Sequence, residues 1–128
     1  MTTVLQLTDL HVEPAGTLAY GKADTASLVR SIRPWLLRFA PKVDLIVVTG
    51  DIACDGKPEA YEIVAQTLAD LPVPVRVLPG NHDRRSNLVR LFPDFVEADA
   101  GKDAVEFTIE RDDALVVGLD TLQPGRHW

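Results

Sequence analysis

"VDLIVVTGD", residues 43–51, is a nearly unbroken apolar run that stops at a glycine and an aspartate. A strand with one wet face alternates apolar and polar residues. A run without alternation belongs to a strand covered on both faces, as in a parallel sheet flanked by helices. Outward from it, "TTVLQLTD" (2–9) and "VPVRVLP" (73–79) carry the β-branched content of two more strands. Between them, "DTASLVRSIRPWLLRF" (24–39) spaces Leu28, Ile32, Trp35, Leu36 and Phe39 as a helical stripe, with Asp24 placed to cap it. Pro34 inside that stripe predicts a kink or a break. "PEAYEIVAQTLADL" (58–71) reads as a second helix with Pro58 in its first turn and Tyr61, Val64, Leu68 and Leu71 on one face. "RSNLVRLF" (85–92) is a short third helix. "AVEFTIE" (104–110) alternates like a strand with one exposed face, "RDDA" turns, and "LVVGLD" (115–120) reads as another buried strand. The order β-α-β-α-β-α-β-β predicts an α/β fold, a mostly parallel sheet flanked by helices with right-handed crossovers.

Length and composition bound the class. At 128 residues with 46% apolar and 25% charged residues, the chain suits one soluble domain with its own core. A net charge of −6 disfavours a nucleic-acid partner, although Arg84, Arg85 and Arg90 cluster where a local anion would be attracted. Cys54 is the single cysteine, which excludes an internal disulfide and fits a reducing, cytoplasmic setting. The start "MTTVLQLTDLH" lacks the features of a signal peptide, and no run reaches membrane-spanning length, so no membrane partner is expected.

Three successive strands end in polar clusters: Asp9 and His11, then Asp51, then Asn81, His82 and Asp83. In an open parallel sheet the carboxyl ends of the strands form the ligand-binding edge, so the clusters should converge there. On extended backbone Asp9 and His11, two apart, would point to one side and reach one cation. Gly50 permits a sharp turn that brings Asp51 inward, where its two oxygens can bridge two cations. In "PGNHD", Pro79 and Gly80 form the turn and Asn81 offers an amide oxygen to a second ion. Oxygen and imidazole donors without thiolates suit Mn, Fe, Zn or Mg. A pair of such ions would clamp a phosphoryl oxygen and acidify a water for in-line attack. His82 would serve the leaving oxygen, and Asp83 would accept its other imidazole N–H.

"DLH" (9–11), "GD" (50–51) and "GNHD" (80–83) resemble the first three motifs of the calcineurin-like metallophosphoesterases. "LTDLHV", "VVTGDIACDG" and "LPGNHD" are most similar to the bacterial class III cyclic-nucleotide phosphodiesterase branch. The resemblance implies a four-layer αββα sandwich, of which residues 1–128 would be about half, the N-terminal portion without the C-terminal part. It implies Asp9 and His11 at the first metal, Asp51 bridging, Asn81 at the second metal and His82 assisting catalysis. It also implies two divalent ions in the complete domain, Mn or Fe foremost, acting on a phosphodiester such as a cyclic nucleotide. Asp55 and Tyr61 lie where that branch shapes its pocket, but a loop Asp and a core-facing Tyr are the simpler readings.

The family's closing Gly-His-x-His motif has no counterpart, because the only histidines are His11, His82 and His127. With Asp9, His11, Asp51 and Asn81 as the donors, one ion or none should bind well, and turnover should be weak or absent. "ALVVGL" should be left as an unpaired edge or an uncovered apolar face, inviting a homo-oligomer in which a neighbour's His127 or Asp120 lends a ligand. The alternatives are a non-catalytic metal-binding or oligomerising half-domain and, within the family, a nuclease or phosphoprotein phosphatase. A dinucleotide-binding fold fits the rhythm but lacks the glycine-rich turn after the first strand.

Overall fold

The structure, a computed structural model, describes residues 1–97 and 104–123; His127 lies outside them. Its elements are β1 (Val4–Leu7), α1 (Thr25–Phe39), a 3₁₀ turn (Ala40–Lys42), β2 (Leu45–Thr49), α2 (Pro58–Leu68), β3 (Val75–Leu78), α3 (Arg85–Leu91), β4 (Phe107–Arg111) and β5 (Ala114–Gly118). Strands β1, β2 and β3 form a parallel sheet in that order, with Val4 opposite Leu45 and Ile46 opposite Val75.

The unbroken apolar run of β2 is explained by its two neighbours. Ile46 and Val48 face one core with Val29 and Leu36 of α1, Tyr61 and Val64 of α2, and Leu88 of α3. Leu45 and Val47 face the opposite way, against Phe107, Ile109 and Val116 of the β4–β5 hairpin. Each such side chain, fully buried, contributes about 1.5–3 kcal/mol. The central strand is therefore sandwiched between a helical layer and a second β layer.

Two expectations are corrected. Strands β4 and β5 do not extend the parallel sheet; they pair antiparallel as a separate sheet, Phe107 opposite Gly118 and Ile109 opposite Val116. The second layer of the sandwich is thus begun within this chain. Strand β5 is not buried on both faces either: Leu115 is 63% exposed, Val117 50% and Leu119 63%, so only the face of Val116 and Gly118 is covered. The expected uncovered apolar face is there. At the hairpin tip, Asp113 accepts the Thr2 backbone N–H at 2.8 Å and pairs with the N-terminal amine at 3.1 Å, tying the turn to the start of β1.

Helix α1 begins where Asp24 accepts the Ser27 N–H at 3.0 Å and runs through Pro34 without breaking. Its buried residues are Ala26, Val29 and Leu36, whereas Leu28, Trp35 and Phe39 of the expected stripe are exposed. The helix is rotated because it packs on α2 as well as on the sheet: Arg33 donates to the carbonyls of Thr67 (2.7 Å) and Ala69 (2.8 Å) at the α2 C-terminus. On α2 the expected face holds, with Tyr61, Val64 and Leu68 fully buried.

Candidate metal centre at the strand ends

The loops that follow β1 and β2 run side by side past the ends of their strands. Asp9 N–H donates to the Gly50 carbonyl (3.2 Å), His11 N–H to that of Asp51 (2.8 Å) and Val12 N–H to that of Ile52 (2.9 Å). Asp9 (φ 54), His11 (φ 42), Gly50 (φ 83) and Asp51 (φ 48) all adopt left-handed backbone. The pairing of Asp9 with His11 is therefore not the extended i, i+2 geometry the sequence suggested. For each non-glycine residue that conformation costs roughly 1–2 kcal/mol, offset by the zip between the loops.

Glycines allow the third loop to close in. A Cβ on Gly50 would stand 2.7 Å from the Gly80 Cα, and one on Gly80 would stand 2.2 Å from Asp51 Oδ1. Gly80 is required for close approach more than for a turn. In the resulting contact, His82 N–H donates to Asp51 Oδ1 at 3.1 Å.

The donors converge. His11 Nε2 lies 3.7 Å from Asp51 Oδ2 and 3.9 Å from Asp9 Oδ1. Ligand atoms of His11, Asp51 and His82 all lie within 4.8 Å of one another, and the two imidazoles meet edge to face with centroids 4.9 Å apart. Asn81 lines the same cavity as Asp9 and Asp51, a space of about 400 Å³ closed on another side by Thr121, Leu122 and Gln123.

This arrangement fits a divalent cation. Separations of 3.7 and 3.9 Å are too long for hydrogen bonds, yet near the spacing of about 3–3.5 Å expected for two donors sharing one ion. Among the described residues no Lys or Arg pairs with Asp9 or Asp51, so the carboxylate charge is left for a cation to balance. His11 Nδ1 is buried without a hydrogen-bond partner, so protein hydrogen bonds do not account for the ring's orientation.

Asp83 has a different position from the one expected. It is 6% exposed, and its carboxylate accepts four donors: the backbone N–H of Ile52 (3.1 Å), Ala53 (3.1 Å) and Gly80 (2.8 Å), and the Tyr61 hydroxyl (3.0 Å). It fastens the second loop to the third rather than holding the His82 ring. Burial pushes its pKa up against the pull of those hydrogen bonds. His82 Nδ1 instead lies 2.7 Å from the Cys54 carbonyl, which requires a proton on Nδ1. Tyr61, in the core as expected, also accepts the Arg84 N–H at 2.9 Å; burial and the neighbouring Asp83 charge push its hydroxyl far above the usual phenol range. Asp55 is the exposed loop residue expected, paired with Lys57 at 3.4 Å.

Sequence reasoning missed two features. Buried Glu13 pairs with Lys57 at 3.1 Å; its carboxylate, Cys54 and Asp55 also cluster, and Lys57 pairs with both carboxylates. The second feature is the cavity wall. Arg85, expected to attract anions, instead grips Asp120 through Nε (2.5 Å) and Nη2 (2.8 Å), with Nη2 also donating to the Leu122 carbonyl. The signal was available: "LVVGLD" is a fourth apolar run ending in Asp, like those that end at Asp9 and Asp51.

Fold and rim together define an α/β protein with oxygen and imidazole donors clustered at the ends of parallel strands. The chain belongs to the calcineurin-like phosphoesterase family, whose model matches residues 2–122. It is 33% identical over 125 residues to a probable glycerophosphodiester phosphodiesterase of Arcobacter nitrofigilis, covering 98% of this chain and 45% of that protein. It is 31% identical over 122 residues to a 3′,5′-cyclic adenosine monophosphate phosphodiesterase of Pseudomonas aeruginosa, covering 95% and 42%. A probable cyclic nucleotide phosphodiesterase of Rhodopseudomonas palustris is 34% identical over 116 residues, covering 91% and 41%. The chain thus spans less than half the length of these relatives. No helix among the described residues is long and apolar enough to cross a membrane.

Proposed function

We infer that Asp9, His11, Asp51 and Asn81 form a divalent-cation centre for phosphodiester hydrolysis, with His82 beside it as the proton-exchanging group. The observation that carries this reading is the convergence of His11 Nε2 with Asp51 Oδ2 (3.7 Å) and Asp9 Oδ1 (3.9 Å) at the strand ends, with His82 in the same cluster. In it, Asp9 and His11 would hold one ion, Asn81 would hold a second, and Asp51 would serve both. Bound ions supply Lewis-acid charge to a phosphoryl oxygen and make water more acidic. With Nδ1 of His82 directed at the Cys54 carbonyl, Nε2 is the atom that exchanges a proton with the leaving oxygen. Asp83 acts through the backbone it fastens and touches no reacting group.

The relatives' names support a phosphodiester substrate, with a 3′,5′-cyclic nucleotide first and a glycerophosphodiester second. Mn or Fe suits the donor set best, with Zn and Mg as alternatives. The few protein donors in this chain predict slow turnover by residues 1–128 alone. Purified chain with Mn²⁺ should hydrolyse bis-p-nitrophenyl phosphate slowly, and Asp51→Asn should abolish the metal-dependent rate. An unchanged rate in Asp51→Asn would refute the assignment.

A second reading, an oligomerising module, is favoured by the exposed Leu115, Val117 and Leu119 on β5. A stable dimer that binds no divalent cation would select it.

A further inference from the structure

The cavity that Asp9, Asp51 and Asn81 line has a further wall made by residues 121–123, which directly follow Asp120. The Asp120 side chain is fully buried. Besides Arg85, its carboxylate accepts the backbone N–H of Val105 and of Leu122, each at 2.9 Å. A bidentate guanidinium–carboxylate pair with two further backbone donors is a rigid unit. Arg85 stands three residues after His82 and opens α3. One segment therefore supplies Asn81 to the cavity and, through Arg85, holds the wall of residues 121–123 in place.

The chemistry of this wall is neutral. Thr121 offers a hydroxyl and Gln123 an amide, both solvent-accessible, around the apolar Leu122. Among the described residues lining the cavity there is no Lys, Arg or His. A hydroxyl and an amide suit ribose or glycerol hydroxyls and ring nitrogens.

Building on the phosphodiester reading, we propose that Thr121 and Gln123 are the specificity-determining residues that hydrogen-bond the alcohol moiety of the phosphodiester, with Asp120 and Arg85 as the positioning pair that fixes their distance from the rim. No bond is made or broken at this wall; it selects which diester lies over the cation site.

The test is equilibrium binding by calorimetry to the Zn²⁺-loaded chain. The probes are cyclic AMP, which offers hydroxyl and ring groups, and dimethyl phosphate, which has the diester but no such groups. Wild type should bind cyclic AMP more tightly. Thr121→Val with Gln123→Ala should reduce that preference about tenfold, roughly one hydrogen bond's worth per side chain, while Zn²⁺ affinity and dimethyl phosphate binding hold. Arg85→Lys, which keeps the charge but loses the fork, should erode the same preference; a melt of each variant by circular dichroism confirms that it is folded. An undiminished preference in the double variant would overturn the wall assignment and leave the cation centre standing. Zn²⁺ binding with no affinity for either ester would overturn both this proposal and the phosphodiester reading.

Discussion

The rim at the ends of β1–β3 and the β4–β5 hairpin solve opposite problems. At the rim, three non-glycine residues, Asp9, His11 and Asp51, sit on left-handed backbone, and Asp83 gathers four donors to hold the loops that carry two of the clusters. In the hairpin, a regular two-stranded ladder alternates inward Phe107, Ile109 and Val116 with outward Thr108, Glu110 and Val117. The rim spends backbone strain on a particular arrangement of donors. The hairpin needs only apolar residues of suitable size on one face. Substitutions should therefore damage chemistry at the rim and packing in the hairpin, and one glycine in each region allows that contrast to be tested directly.

The largest effect is expected for Gly80→Ala. Its Cβ would fall 2.2 Å from Asp51 Oδ1 and 2.3 Å from the Asp51 nitrogen, so Asp51 or the whole third loop must move. Divalent-cation affinity should fall about 100-fold, the upper end for loss of support around a ligand, as read by calorimetric titration. Retained affinity would mean that Asp51 is not a ligand.

Asp83→Asn comes next. An amide keeps one acceptor oxygen but turns an NH₂ toward backbone donors that a carboxylate satisfies. The expected loss is about 2–3 kcal/mol of stability, measured by urea unfolding, even though a buried charge has been removed. The acid limb of stability tests the other buried carboxylate. Burial pushes the Asp120 pKa up, but Arg85 and the backbone N–H of Val105 and Leu122 outweigh it and hold the group below the usual carboxylate value. Its stabilisation is present above the unfolded pKa of about 3.9 and is lost as pH falls through the lower folded value. Asp83, with a raised pKa, has the opposite sign: its favourable contribution is present below the unfolded value and lost as pH rises through the folded one. Melting temperature against pH should therefore show a shallower acid limb in Asp120→Asn than in wild type.

How much of this was legible before the fold depended on the length scale of the cause. Element order follows from local periodicity and is found; the strand-end rule points Asp9, His11, Asp51 and Asn81 to one edge, where Asp9, Asp51 and Asn81 line one cavity and His11 lies beside Asp9 and Asp51. The left-handed backbone of Asp9 and His11 was not legible, because it comes from pairing with Gly50 and Asp51 some forty residues away. Asp83 was misread for the same reason: its partners Ile52, Ala53 and Tyr61 come from other segments, and only the fold brings them around it. The exposed flank of α1 shows the limit of a helical stripe, which says that a face is apolar but not that α2 lies to one side of it.

Gly118→Ala is the hairpin's counterpart to Gly80→Ala. Its Cβ would meet the Phe107 ring at 2.3 Å, but that ring belongs to a side chain that can swing, so the expected cost is about 1–2 kcal/mol of overpacking. Cation affinity should be unchanged, since Phe107 packs on Leu45, Val47 and Leu78 within the strands and not on the loops that carry Asp51 and Asn81.

The smallest effect is expected for Val117→Thr on the outer face of β5. Val117 is half exposed, opposite Thr108 across the ladder, and a β-branched replacement keeps the strand preference. Stability should change by less than about 0.5 kcal/mol. What the substitution alters is the contact a second molecule would meet: Val117 lies between Leu115 and Leu119, and a hydroxyl there interrupts a continuous apolar strip. If that strip drives self-association, sedimentation velocity should show a lower dimer fraction for Val117→Thr at the same protein concentration, with melting temperature unchanged. An unaltered dimer fraction would place any association elsewhere on the surface, and the hairpin's outer face would then be inert to self-association, in contrast with a rim where each side chain has an assigned partner or task.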